Sequence, residues 1–160
     1  MQVPRGAASL TRRSPAGPLA VAAAVVVFDQ LTKIWAVGAL SDGPVEVIGT
    51  TLQFRLTRNP GGAFSLLTGL TPVLAVLAVV MVFYIVRTTR RTADAVMAYS
   101  LALVLGGAVG NLVDRLVRSP GFLRGEVVDF IKVPHWPTFN VADCAITVGV
   151  ILIAIRGWRQ

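Results

Sequence analysis

An all-α polytopic membrane protein, with four transmembrane helices and a small extracytoplasmic β-sheet between the first two, is the fold this 160-residue sequence predicts. Three observations carry that prediction. Hydrophobic residues make up 54% of the chain and charged residues only 14%, whereas soluble domains carry about 25% charged residues. Four windows approach the roughly 20 apolar residues needed to cross a hydrocarbon core. The net charge of +7 is concentrated at alternate ends of those windows, as in a chain oriented by basic cytoplasmic loops. High hydrophobicity excludes global disorder, and Cys144 as the single cysteine excludes a disulfide scaffold. A pI near 11.1 would suggest a nucleic-acid partner in a soluble protein. Here the basic residues flank apolar spans, so no nucleic acid is expected.

Residues 1–16 read as a disordered cytoplasmic tail, and 17–160 as one membrane domain. The first span covers about 18–40. Arginines followed by an apolar run resemble a cleavable signal, but Asp29, Gln30 and Lys33 follow instead of a small-residue cleavage site, so the span is retained. The outer connection 41–69 contains Val45–Ile48 and Thr51–Thr57, β-branched and alternating around Gly49, which predict two short strands. Asn59-Pro60-Gly61-Gly62-Ala63-Phe64 then forms a turn cluster. The second span, 70–86, has no charge. The third, 95–113, becomes glycine-rich at its end, which allows close helix packing. A second outer connection covers 114–140, and the fourth span covers 141–157. Arg5, Arg12, Arg13, Arg87, Arg90, Arg91, Arg156 and Arg159 fall on one side with Asp94 as the sole acid. Both termini are therefore expected in the cytoplasm.

Ionisable groups within spans are costly and mark candidate sites. Asp29 and Lys33 share a helix face at i,i+4 and can neutralise each other, bracing a site rather than reacting. Asn111, Asp114 and Arg115 also share a face, and Arg115 beside Asp114 predicts an ionised, paired, structural carboxylate. Asp129 follows two valines outside the third span, and Asp143 opens the fourth, three residues after Asn140. On this topology both acids lie near the outer membrane surface. Two carboxylates close together in a low-dielectric site share a proton, so one can act as base on water while the other polarises a carbonyl. The alternative is a helix-N-terminal Asp143 and a surface-loop Asp129. His135, the sole histidine, excludes a histidine-cluster metal site and reads as an interfacial loop residue. Cys144 reads as packing, and Trp35, Trp136 and Trp158 as an aromatic belt.

Taken in order, Asp29-Gln30-x-x-Lys33, Asn59-x-Gly-Gly-Ala63-Phe64, Gly110-Asn111-x-x-Asp114-Arg115, Val127-Val128-Asp129-Phe130 and Phe139-Asn140-x-Ala142-Asp143 resemble bacterial lipoprotein signal peptidase, also called signal peptidase II. The resemblance spans about 20–155. It implies an aspartic endopeptidase of the bacterial cytoplasmic membrane that removes signal peptides from diacylglyceryl-modified prolipoproteins, cutting before the lipidated cysteine. It implies Asp129 and Asp143 as the catalytic pair, with Asp114 as an alternative partner for Asp143. Asn111, Asp114, Arg115 and Asn140 would surround the pair, and Asn59, Asp29 and Lys33 would position substrate or brace the site. No cofactor and no metal are expected, and the enzyme should be a monomer among membrane lipid. A rival from another class is a small proton-coupled transporter, which needs acids near mid-span facing a cavity. A non-catalytic adaptor would not need two unpaired acids at one depth.

Overall fold

Each long apolar window of the sequence becomes a helix, because a backbone inside lipid must satisfy its own hydrogen bonds. The computed structural model describes residues 14–61, 69–89 and 92–158. Its elements are α1 (Ala16–Ala39), β1 (Val45–Ile48), β2 (Leu52–Asn59), α2 (Thr71–Thr89), α3 (Ala95–Val117), β3 (Val127–Lys132) and α4 (Val141–Trp158). All four helices are long and apolar enough to cross a membrane. Most of the tail, the Gly62–Phe64 part of the turn cluster, and Arg5, Arg12, Arg13, Arg90, Arg91 and Arg159 lie outside the described residues.

α3 occupies the centre and packs against α1, α2 and α4. Glycines make this possible by removing side chains at the crossings. A β-carbon on Gly106 would sit 2.7 Å from the Ala22 carbonyl oxygen of α1, and one on Gly107 would collide with the Ala142 carbonyl of α4. A small apolar core of Ala22, Ile85, Ala102 and Leu105 joins α1, α2 and α3. The outer helix faces are apolar as well: Phe28, Leu31 and Ile34 are 59, 59 and 62% exposed. In a soluble domain such a surface would aggregate; against lipid tails it is at home.

Local sequence sets the helix ends. Asp94 caps α3 by accepting the Met97 N–H at 2.9 Å, and its other oxygen accepts from Arg156 Nε of α4 at 2.7 Å. At the opposite end of the bundle Asn140 and Asp143 form a reciprocal cap on α4. The Asn140 Oδ1 accepts the Asp143 N–H at 3.0 Å, and Asp143 Oδ2 accepts the Asn140 N–H at 3.2 Å. This is the capping-box geometry, built from Asn and Asp.

The sheet has strand order β1-β2-β3, antiparallel throughout. Its first two strands come from the connection between α1 and α2. The third, β3, comes from the α3–α4 connection, which the sequence left as a segment without assigned structure. Trp35 of α1 meets Phe54 and Phe130 edge-on, with ring centroids 5.4 and 6.0 Å away, and so pins the sheet to the end of α1.

Two expectations need correction here. The outer connection was expected to begin at residue 114, but α3 continues to Val117, so Asp114 and Arg115 are helical. The helix can extend because Asp114 is neutralised by charges from elsewhere. Those charges are Lys33 Nζ at 2.9 Å and Arg118 Nε at 2.7 Å, not the adjacent Arg115. Cys144, read as a packing residue, is exposed on α4.

Candidate active site

β3 and the start of α4 bring the two acids to one place. Asp129 pairs across the sheet with Thr57, and Asn59 lies two residues further along β2, opposite Val127. Asn59 Nδ2 donates to Asp129 Oδ2 at 3.0 Å, while its own oxygen accepts the Gly61 N–H at 3.1 Å. Asn140 Nδ2 donates to Asp129 Oδ1 at 2.7 Å. Since the Asn140 backbone N–H also bonds Asp143, this one residue bridges the two carboxyls. Asn111 of α3 completes the set by donating from Nδ2 to Asp143 Oδ1 at 2.9 Å.

Asp129, Asp143, Asn59, Asn111 and Arg115 line one cleft of about 250 Å³. Val127, Trp136, Pro137, Thr138, Phe139 and Thr147 form the rest of its wall. Burial pushes the Asp129 carboxyl up to about 6, and the neighbouring Asp143 adds to the rise. The amide donors of Asn59 and Asn140 pull in the other direction without cancelling it. A carboxyl so placed can hold a proton near neutral pH, which is what an acid partner requires. Arg115 is 7% exposed, and its Nη1 has no hydrogen-bond partner among the described residues. A buried, unsatisfied guanidinium nitrogen is expensive and marks a place where something else bonds.

Behind the cleft lies a closed charge network. Asp29, Lys33 and Asp114 are each 0% exposed. Lys33 Nζ sits 2.9 Å from both Asp29 Oδ2 and Asp114 Oδ2. Asp114 Oδ2 also accepts the Val128 N–H of β3 at 3.1 Å, and Asp29 Oδ1 accepts the Ala142 N–H of α4 at 3.0 Å. Removing one member of such a buried set costs about 3–5 kcal/mol, because a partner charge is stranded. Asp114 does not line the cleft, and both its oxygens are occupied. The residues singled out in the sequence thus divide into a cleft-lining group, a bridge at Asn140, and a brace of Asp29, Lys33 and Asp114.

Sequence reasoning missed three contributors. Gln30 Nε2 donates to the Gly110 carbonyl at 3.0 Å and to Asp114 Oδ1 at 3.3 Å. Arg118 pairs with Asp114 one turn away, a relation that i,i+4 spacing could have exposed. Trp136, assigned to an interfacial belt, is a wall of the cleft.

Fold and site together define a multi-pass membrane enzyme, and similar solved structures agree. A bacterial membrane enzyme determined in meso at 2.3 Å resolution superposes with a TM-score of 0.81 at 30% identity, covering 90% of this chain and 88% of that one. A second, at 1.9 Å, gives a TM-score of 0.77 at 32% identity, covering 88% and 92%. The family model for signal peptidase (SPase) II matches residues 21–159, and the chain belongs to that family of peptidases. It is 49% identical to the lipoprotein signal peptidase of Rhodococcus jostii, over 84% of this chain and 69% of the relative. Identity is also 49% to the lipoprotein signal peptidase of Mycobacterium avium, over 86% of this chain and 76% of the relative.

Proposed function

We propose that this chain is an aspartic endopeptidase that removes the signal peptide from diacylglyceryl-modified prolipoproteins, cleaving before the lipidated cysteine. The observation that carries the reading is the pair Asp129 and Asp143, bridged by Asn140 in one cleft at the ends of α3 and α4. A carboxylate of the pair takes a proton from water, whose oxygen attacks the scissile carbonyl carbon. The protonated partner donates to the carbonyl oxygen, giving a tetrahedral diol. Collapse breaks the C–N bond as the amine takes up a proton. The products are the signal peptide's new carboxylate and the free α-amine of the lipidated cysteine.

Asn59 and Asn111 hold the acids, and Arg115 Nη1, without a hydrogen-bond partner among the described residues, donates to a substrate carbonyl oxygen. Asp29, Lys33 and Asp114 brace the cleft from behind. A lipid-anchored cysteine places the scissile bond at the membrane interface, which is where acids at helix ends can reach it. Arginine placement sets the termini in the cytoplasm and the cleft at the outer face. A transporter would need its acids near mid-span; Asp143 is the third residue of α4, and Asp129 lies in the sheet.

The test is cleavage of a diacylglyceryl-prolipoprotein by purified enzyme. Asp129→Asn and Asp143→Asn should each lower kcat/KM by at least about 10²–10⁴-fold, the range of lost acid–base catalysis. Normal processing by either variant would remove that residue from the chemistry.

A further inference from the structure

We propose that Lys33 selects which acid of the pair carries the negative charge, acting as a positioning residue for Asp143 through the Asn111 amide. The inference rests on the acid-pair reading above. An ammonium group has three N–H donors and no acceptor. Lys33 uses all three, on Asp29 Oδ2, Asp114 Oδ2 and Asn111 Oδ1, each at 2.9 Å. Its side chain is fully buried, so bulk water offers no substitute. An amide has one oxygen end and one NH2 end. With its oxygen held by Lys33, the Asn111 NH2 must turn the other way, where it meets Asp143 Oδ1 at 2.9 Å. The reversed amide would set NH2 against an ammonium and oxygen against a carboxylate, losing two buried bonds at once. Asn140 Nδ2, donating to Asn111 Oδ1 at 3.2 Å, holds the same orientation.

Asp143 therefore receives a donor at each oxygen, from the Asn111 side chain and the Asn140 backbone. Donors of this kind favour the ionised carboxylate. Asp129 also meets two amide donors, but of the two acids Asp143 alone stands in the first turn of a helix, whose dipole favours negative charge. The other charged and titratable groups facing Asp143 are Lys33 and Asp29 from α1, Arg115 from α3, Asp129 from β3 and Cys144 from α4. In this arrangement Asp143 is the base and Asp129 holds the proton.

Lys33→Met alone would strand buried acids, so the test uses Asp29→Asn/Lys33→Met, which keeps the charge balance, compared with Asp29→Asn. Both are assayed on a diacylglyceryl-prolipoprotein in detergent from about pH 4 to about pH 9. The acid limb of kcat/KM should lie about one pH unit or more higher in the double variant, since Asp143 loses an enforced donor. Coincident limbs would overturn the role of Lys33. Asn111→Asp leaves all three Lys33 bonds in place but turns an oxygen toward Asp143, and it should raise the limb as well. An unmoved limb in Asn111→Asp, or no turnover even at the alkaline end, overturns the proposal whether or not the double variant folds. Asp143→Asn separates the two levels. If it cleaves normally, the acid-pair reading itself fails; if it is inactive while the limbs coincide, only the Lys33 role fails.

Discussion

Asp129 keeps its carboxyl where charge is disfavoured, and this has a consequence for folding. An unfolded aspartate titrates near 3.9, whereas the native group titrates near 6. Between those values the native state binds more protons than the unfolded state, so stability falls as pH rises. The contribution is complete below about pH 4 and gone above about pH 6. Its size is about 3 kcal/mol at 1.36 kcal/mol per unit. Thermal unfolding in detergent of wild type and Asp129→Asn across this window should therefore diverge, with the wild type losing more stability on the way up. Parallel curves would mean that Asp129 is not held protonated. Asp94, at the far end of α3, has the opposite sign, because the Arg156 guanidinium holds its carboxyl below the usual range. That clamp weakens in acid, as pH falls through the native value.

At the level of elements, the crossing of α3 with α1 and α4 depends on glycine. A β-carbon at Gly110 would lie 2.6 Å from Asp29 Oδ2, the carboxyl whose other oxygen caps Ala142. Gly110→Ala should cost about 1–3 kcal/mol as an overpacked contact and should lower cleavage, because the start of α4 shifts with it. Gly157→Ala, where nothing among the described residues lies within 4 Å, should leave the melting temperature nearly unchanged. The helices were legible from sequence because lipid demands long apolar runs, and β1 and β2 because alternation survives where a strand is exposed or only partly buried. β3 was not legible as a strand: Val127–Phe130 are all buried, so the period-2 signal is absent and an acid sits in its middle. The end of α3 was misplaced for a related reason. Asp114 looks like a helix-ending charge until Lys33, from another span, is brought to it. That Asp129 and Asp143 lie near each other was expected from the topology, and both line one cleft, but the bridge by Asn140 required the fold.

For the whole molecule, the arginine distribution and the position of the cleft make a joint prediction about topology. A reporter enzyme active only outside the cytoplasm should be active when inserted at Gly121 in the α3–β3 connection and silent when fused after Trp158. The reverse pattern would invert the proposed orientation and put the cleft on the wrong side for an exported substrate.

The bond from the Ala142 backbone to Asp29 joins residues 113 positions apart, and it bears on the order of synthesis. The first span enters the membrane carrying an acid whose partner on the last span has not yet been made. A chain stalled after α3 holds Asp114 and Lys33 but lacks Asp143, Asn140 and the backbone that Asp29 caps. On the proposed acid-pair reading, cleavage waits for the final helix, and a chain stalled before α4 holds at most half of the pair.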